Sequence, residues 1–311
     1  MPELPDVEVY VAALRRFVVG RNLQVVRIQS PFLVRSVTPR IEEAQGRAVL
    51  SVTRMGKRIV LGLEGNLFLI LHLMIAGRLR WKARGTAVPR KWGLAAFDFE
   101  HGTLLLTEAG SKRRASLHLV LGEDAVREQD PGGLEILQST FEAFDRVLHS
   151  ESHTLKRVLT DPHLFSGIGN AYSDEILHAA RLSPLQRTAQ LDQEQSRRLF
   201  EACRETLTIW TRRLMEEVGD GFPDKVTAFR EGMAVHGRYR QPCPVCAAPV
   251  QRIVHAENEC NYCPVCQTDG KLLADRALSR LLRQDWPKTW EDLELRRAGK
   301  KPGPRPQGDH G

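Results

Sequence analysis

Hydrophobic positions recur along this chain in two rhythms, and the change between them divides it. Near the start, Val7, Val11, Leu14 and Val18 fall at helical spacing. Pro5 suits a first turn and Gly20 a stop, so the pattern predicts a helix over Pro5–Val18. From Leu23 to about Gly122 the apolar runs shorten to strand length: Val25–Ile28, Ala48–Thr53, Arg58–Leu63, Leu67–Leu73, Leu94–Phe99 and Thr103–Thr107. Turn signals such as Glu64-Gly65-Asn66 and His101-Gly102 separate them. One long helix followed by about eight strands predicts a β-sandwich with a helix against it. Asp130-Pro131-Gly132-Gly133 then breaks the pattern, and from Leu134 to about Val218 the period is helical, clearest over Glu194–Val218. Gly219-Asp220-Gly221-Phe222-Pro223 reads as a loop. Pro249–Val254 and Asn261–Cys263 read as two short strands, with His255–Glu259 turning between them. Leu278, Leu281 and Leu282 suggest a short helix, and Arg296–Gly311, rich in Gly, Pro and Lys, a disordered tail. The expected fold class is α+β and multidomain: a β-sandwich over 1–133, a helical domain over 134–236, a hairpin module over 237–269 and an extension over 270–311.

Composition narrows the class of protein. The chain has 311 residues, 42% of them hydrophobic, enough for ordinary cores. No apolar run approaches the roughly 20 residues of a membrane-spanning helix, and the start lacks a basic-then-apolar leader, so a cytoplasmic protein without membrane contact is expected. The net charge of +7 leans towards an anionic partner and is uneven: +7 over residues 1–133, −4 over 134–269 and +4 over 270–311. Long-range, salt-sensitive attraction is therefore expected from the sandwich and the extension.

Six cysteines are too few for a disulfide-stapled scaffold. Four of them form Cys243-Pro-Val-Cys246, 16 intervening residues, and Cys263-Pro-Val-Cys266, the spacing of a zinc site. Each pair supplies two thiolates to one tetrahedral ion, and a hairpin between the pairs brings them together. Four thiolates leave no open position, so one structural zinc is expected. Cys260 lies close enough to compete, but the paired spacing favours the other four. Cys203 sits at helical spacing with Leu199, Leu207, Trp210 and Leu214, as a core residue would. In the helical region, Phe165-Ser-Gly-Ile-Gly-Asn170-Ala-Tyr172 interrupts the pattern before a helix resumes over Ser173–Ala180. The free N–H groups of that helix start suit a phosphate, although a plain helix–helix turn explains the glycines equally well.

Met-Pro-Glu-Leu-Pro-Asp-Val-Glu at the start, the Gly-Ile-Gly-Asn turn and the four-cysteine hairpin occur in an order that resembles the formamidopyrimidine-DNA glycosylase and endonuclease VIII family of base-excision repair enzymes, over about residues 2 to 267. Arg54-Met-Gly-Lys57, His72-Leu73 with Gly77-Arg78-Leu79, and Phe229 to Cys246 with Val235-His-Gly-Arg238 are similar to further family segments, and Leu4 favours the formamidopyrimidine branch. The resemblance implies a helix–two-turn–helix in the helical domain and a zinc finger in the hairpin module. It implies a monomer in a bacterial cytosol or nucleoid, acting on double-stranded DNA with damaged bases or abasic sites.

In that family the N-terminal proline, here Pro2 once Met1 is removed, attacks C1′ of the damaged nucleoside. An α-amino group, with a pKa near 8 against about 10.4 for lysine, suits that role at neutral pH. Glu3 is then the general acid and Lys57 a phosphate-contacting lysine at the catalytic centre. Asp6, where relatives usually have Glu, and Glu175 are candidate supports, while Lys156 and Asn170 match residues that bind backbone phosphates. Departures fall on the residues that hold the DNA open. Ile75 stands where a wedging Met is usual. Thr107–Leu117 lacks the family's void-filling Phe, leaving Arg113 and Arg114 to reach the opposite base. Asn258 stands where the hairpin carries an arginine, with Arg252 and His255 as candidates to compensate. The expected activity is removal of oxidised purines such as formamidopyrimidines with β,δ-elimination. Oxidised pyrimidines, or binding of damaged DNA with little catalysis, are the alternatives.

Overall fold

The computed structural model describes residues 1–110, 112–224, 226–255, 258–274 and 287–298. The helix expected around Leu278–Leu282 and the tail beyond residue 298 lie outside them.

Helix α1 (Leu4–Val18) is amphipathic on two sides. Val7, Tyr10, Val11, Leu14 and Val18 enter the core of the sandwich, as the spacing predicts. Leu4 and Val9 project the other way, into the core of the helical region. One helix therefore belongs to both cores, and its N-terminus lies where they meet.

The sandwich is two antiparallel four-stranded sheets. One has the order β2 (Val49–Met55), β3 (Arg58–Leu63), β4 (Leu67–His72), β8 (Ser116–Leu121). The other has the order β1 (Val25–Ile28), β6 (Gly93–Phe99), β7 (Gly102–Glu108), β5 (Gly77–Lys82). Strand β5 escapes an apolar-run reading because Arg78, Arg80 and Lys82 alternate with Leu79 and Trp81. Only one face of it needs to be apolar, since antiparallel sheets tolerate a polar side. Strand β8 is absent from the expected runs although its alternation is plain, and β2 extends two residues past the expected end at Thr53.

After the short helix α2 (Glu123–Arg127), the helical region comprises α3 (Phe141–Leu148), α4 (Leu155–Thr160), α5 (Asn170–Ala179) and the 26-residue α6 (Gln193–Val218). Helix α5 begins at Asn170, three residues before the expected Ser173. Cys203 is fully buried in this core with Leu199, Leu207, Trp210 and Leu214. The loop after α6 returns to the sandwich, where Phe222 packs edge-on against Phe17 with ring centroids 5.6 Å apart. Arg16 Nη2 donates to the carbonyls of Gly219 and Gly221 at 2.8 and 3.1 Å.

The hairpin pairs β9 (Gln251–His255) with β10 (Asn258–Tyr262), followed by α7 (Pro264–Thr268). Two expectations are corrected. The second strand starts at Asn258, paired with His255, so Asn258 and Glu259 are strand residues; Cys263 leaves the strand to cap α7. Helix α8 (Trp290–Arg297) includes Arg296 and Arg297, so order extends past the expected start of the tail. Asp292, Glu291, Arg296 and Arg297 are arranged as helix ends favour: acids in the first turn, bases in the last. Among the described residues no helix is long and apolar enough to cross a membrane.

Candidate active site

Pro2 and Glu3 are buried at the start of α1. The Glu3 backbone N–H donates to Asp6 Oδ2 at 2.9 Å, which closes the first turn. The Glu3 side chain crosses to the helical region, where its carboxylate accepts N–H bonds from Gly169 (2.7 Å), Ala171 (2.8 Å) and Tyr172 (3.1 Å). The N–H groups that the α5 start leaves without intrahelical partners are thus taken up by the Glu3 carboxyl. The glycines of the turn have separate reasons. Gly167 adopts φ +80° with Leu4 against it, and a Cβ on Gly169 would lie 2.5 Å from Glu3 Cδ. The Leu4 N–H donates to the Gly167 carbonyl at 2.9 Å and ties the two segments by backbone as well.

Burial pushes the Glu3 carboxyl above its ordinary pKa, although the charge of Lys57 and the α5 N–H groups pull the other way. Lys57 occupies the turn between β2 and β3; burial lowers its pKa, with Glu3 opposing. The terminal amine, here that of Met1, is also lowered, first by burial. Glu3 and Asp6 raise it while Arg78 and Lys57 lower it. Burial thus moves the Glu3 carboxyl up and the Met1 amine down, each towards its uncharged form.

Around this centre, ion pairs fix the elements. Arg54 donates to Glu8 on α1 at 2.7 Å and to Glu135 at 2.5 Å, while its side chain is only 7% exposed. Asp6 Oδ1 accepts from Arg230 Nη2 at 2.7 Å, with both side chains largely buried, and Arg230 Nε is buried without a partner among the described residues. A cavity of about 300 Å³ opens beside this pair, lined by Val9, Leu214, Phe222 and Val226 as well. Arg78 Nε donates to the Val226 carbonyl at 2.6 Å and Nη1 to the Gly77 carbonyl at 2.7 Å. Neither Arg230 nor Arg78 is a candidate on sequence grounds.

A second cluster joins α5 to the hairpin. Asp174 Oδ1 accepts from Lys156 Nζ at 2.5 Å; Oδ2 lies 2.8 Å from His236 Nδ1 and 3.1 Å from the Asn261 N–H. Burial alone would raise Asp174, but the Lys156 charge and the His236 hydrogen bond outweigh it and hold its pKa low. Lys156, the expected phosphate ligand, faces inward, bonding also to the Asn170 carbonyl and Ser173 Oγ. Asn170 Nδ2 donates to the Glu259 carbonyl at 2.7 Å and so docks the hairpin. Glu175 accepts the N–H groups of Ala234, Val235 and His236 at 2.6–2.9 Å, while burial raises its pKa against those bonds. Tyr172 packs edge-on against Trp210, its hydroxyl buried without a partner among the described residues.

The sulfurs of Cys243, Cys246, Cys263 and Cys266 lie within 4.8 Å of one another. The Val245 and Cys266 N–H groups point at Cys243 Sγ (3.5 Å) and Cys263 Sγ (3.4 Å), as amides do around a thiolate-bound metal. Four soft, convergent thiolates suit a tetrahedral ion such as zinc, and Cys260 is not among them.

Residues 1–115 match the formamidopyrimidine-DNA glycosylase N-terminal domain, and residues 133–212 match that enzyme's H2TH domain. A formamidopyrimidine-DNA glycosylase of Thermus thermophilus is 34% identical over 282 residues, which cover 87% of this chain and all of that protein. The chain belongs to the formamidopyrimidine-DNA glycosylase family. The crystal structure of the MutM (Fpg) protein from Thermus thermophilus, 34% identical, superposes with a TM-score of 0.71 over 86% of this chain and 98% of its own. A Lactococcus lactis Fpg in complex with abasic-site DNA shares the fold, with a TM-score of 0.75 at 23% identity over 86% of this chain and 99% of its own.

Of the family's remaining positions, Ile75, Arg113 and Arg114 lie on loops and Arg252 on strand β9. Ile75 is 54% exposed on the turn closed by the Gly77 N–H bond to the Leu73 carbonyl (2.9 Å). Arg113 and Arg114 are exposed on the β7–β8 loop. Arg113 Nη2 donates to the Lys91 carbonyl, and the Arg114 backbone N–H to the buried Glu108 carboxylate. Arg252 pairs with Glu259 at 3.0 Å and lies 4.3 Å over the Tyr239 ring.

Proposed function

We propose that this chain is a bifunctional DNA glycosylase and AP lyase acting on oxidised bases in duplex DNA. The observation that carries the reading is Glu3: a buried, raised-pKa carboxyl one residue from Pro2, held by three N–H groups of α5. With Met1 removed, Glu3 delivers a proton to the sugar ring oxygen, the bond from that oxygen to C1′ opens, and the Pro2 secondary amine forms an N–C bond at C1′. The glycosidic bond then breaks, the base leaves with the amine proton, and the iminium is complete. The iminium acidifies C2′–H; its removal expels the 3′ phosphate, and a second elimination expels the 5′ phosphate. Water then releases Pro2.

The four cysteines hold one structural zinc, which fixes the hairpin that Asn170 docks against α5. Formamidopyrimidines and other oxidised purines are the proposed substrates. Borohydride trapping on abasic-site DNA tests the chemistry: a covalent adduct that is lost in Pro2→Gly, or blocked by retained Met1, supports it. No adduct from the processed protein leaves only a DNA-binding role. A panel of duplexes carrying purine and pyrimidine lesions then assigns the substrate, and preference for oxidised pyrimidines would overturn the purine assignment.

A further inference from the structure

Trp92 is a large aromatic left 45% exposed on a tightly braced turn. The Gly93 N–H donates to the Pro89 carbonyl at 2.8 Å, and Gln29 Nε2 donates to the carbonyls of Pro89 and Arg90, both at 3.1 Å. The Trp92 carbonyl accepts the Glu108 N–H at 2.7 Å, and the neighbouring Lys91 carbonyl accepts Arg113 Nη2 at 2.5 Å. The turn is thereby fastened to the β7–β8 loop. Glu108 in turn pairs with Gly77 on β5, and a Cβ on Gly110 would sit 3.7 Å from that of Ala76. Three loops therefore converge at one end of the β1-β6-β7-β5 sheet, bearing Ile75, Trp92 and Arg113. The Ile75 turn also borders the reaction centre. Arg78, which donates to the Ile75 carbonyl at 3.2 Å, is one of the charges acting on the terminal amine.

The tryptophan is flanked by Arg90 and Lys91 on its own turn and by Arg113 and Arg114 on the loop fastened to it, all exposed cations. Aromatic rings set among cations are the pattern on which nucleic-acid bases stack. Extruding a nucleotide leaves an unpaired base on the other strand, and apolar or aromatic side chains inserted at that point offset the lost stacking. The segment Thr107–Leu117 supplies no aromatic side chain for this.

We propose that Trp92 is the residue that stacks on the base left unpaired opposite the extruded nucleotide, with Ile75 as its aliphatic companion. The proposal rests on the glycosylase reading. Base–aromatic stacking corresponds to about a 5- to 150-fold effect. Trp92→Ala is therefore expected to lower the ratio of duplex to single-strand trapping on abasic DNA by at least about fivefold, with Trp92→Phe restoring most of it. With 2-aminopurine as the opposite base, the wild-type protein quenches its fluorescence by stacking, and Trp92→Ala leaves it bright. An unchanged duplex-to-single-strand ratio in Trp92→Ala, or 2-aminopurine quenched equally by both proteins, overturns the proposal. If the wild-type protein traps no abasic DNA in either form, the glycosylase reading fails, and the 2-aminopurine signal on bound duplex still decides the stacking role.

Discussion

Gly169→Ala displaces the proposed acid without altering its chemistry. Gly169 has φ −129° and ψ −156°, a backbone conformation alanine adopts freely, so the substitution carries a steric cost and no conformational one. The new Cβ would lie 2.5 Å from Glu3 Cδ, 2.7 Å from Oε1 and 2.8 Å from Cγ. Ordinary carbon contacts are about 3.5–4.0 Å, so the carboxyl must retreat by about 1 Å. That movement lengthens its bonds to the α5 N–H groups and shifts the proton it would deliver. A misplacement of about 1 Å at a reacting group costs about 100-fold in rate. Leaving one buried N–H unpaired costs about 1–3 kcal/mol, enough to lower Tm by several degrees.

The assay is single-turnover release of a formamidopyrimidine base, run beside borohydride trapping on a preformed abasic site, where base departure is already complete. Base release should fall about 100-fold, and trapping should fall less. In the Glu3→Gln background the alanine should cost little more, because both changes act through one group. Base release at the wild-type rate in Gly169→Ala would refute the claim that α5 positions the acid. So would a fully additive loss in the double variant.

Activity should follow a bell-shaped pH profile, failing at low pH as the amine protonates and at high pH as Glu3 ionises. At the unshifted values of 4.5 and about 8, each group would be in its working form only about 2% of the time at the midpoint, so the upward shift of Glu3 raises the competent fraction. Glu3→Gln should remove the alkaline limb from whatever rate remains. It should also gain in Tm over wild type as pH rises above the unfolded carboxyl value, because a raised folded pKa destabilises the fold once the group ionises. Arg230→Met leaves Asp6 buried and unpaired and should cost about 3–5 kcal/mol in chemical denaturation, with Asp6→Asn in the same chain recovering part of it. Metal analysis should find one zinc per chain, lost in Cys263→Ser and retained in Cys260→Ser and Cys203→Ser; loss in Cys260→Ser would contradict the four-sulfur site. Lys156→Met should cost stability with little change in the salt slope of DNA binding, whereas Arg113→Ala with Arg114→Ala should flatten that slope by about 1 for each phosphate left unneutralised.

What is legible in the sequence is what short-range pattern encodes. The CxxC pairs specify a metal site because two ligands on each tight turn need only one hairpin to meet, and the buried face of α1 shows because 3.6-residue spacing is local. The other face of that helix, Leu4 and Val9, carries no such signal: two side chains are too few to set a period. The polar centre is less legible still. Asp6 and Arg230 are 224 residues apart, and Glu3 lies 166 residues before Gly169. Pairing of this kind leaves no periodicity, so the free N–H groups of α5 suggest an outside phosphate when their partner is the chain's own Glu3 carboxyl.

The same limit changes the electrostatic argument. Residues 134–269 carry a net −4, which leaves DNA contact there to local donors such as Lys156 and Asn170. Lys156 is paired with buried Asp174, and the Asn170 amide is bonded to the hairpin, so both act first as internal braces. The exposed cations of the sandwich loops, Arg90, Lys91, Arg113 and Arg114, are then the stronger source of attraction for DNA, and they stand around the one large aromatic ring their turn leaves open. These cations and the ring proposed to stack on the unpaired base are thus placed on the same two neighbouring loops. The helical region, relieved of that work, is organised instead to hold one carboxyl beside one amine.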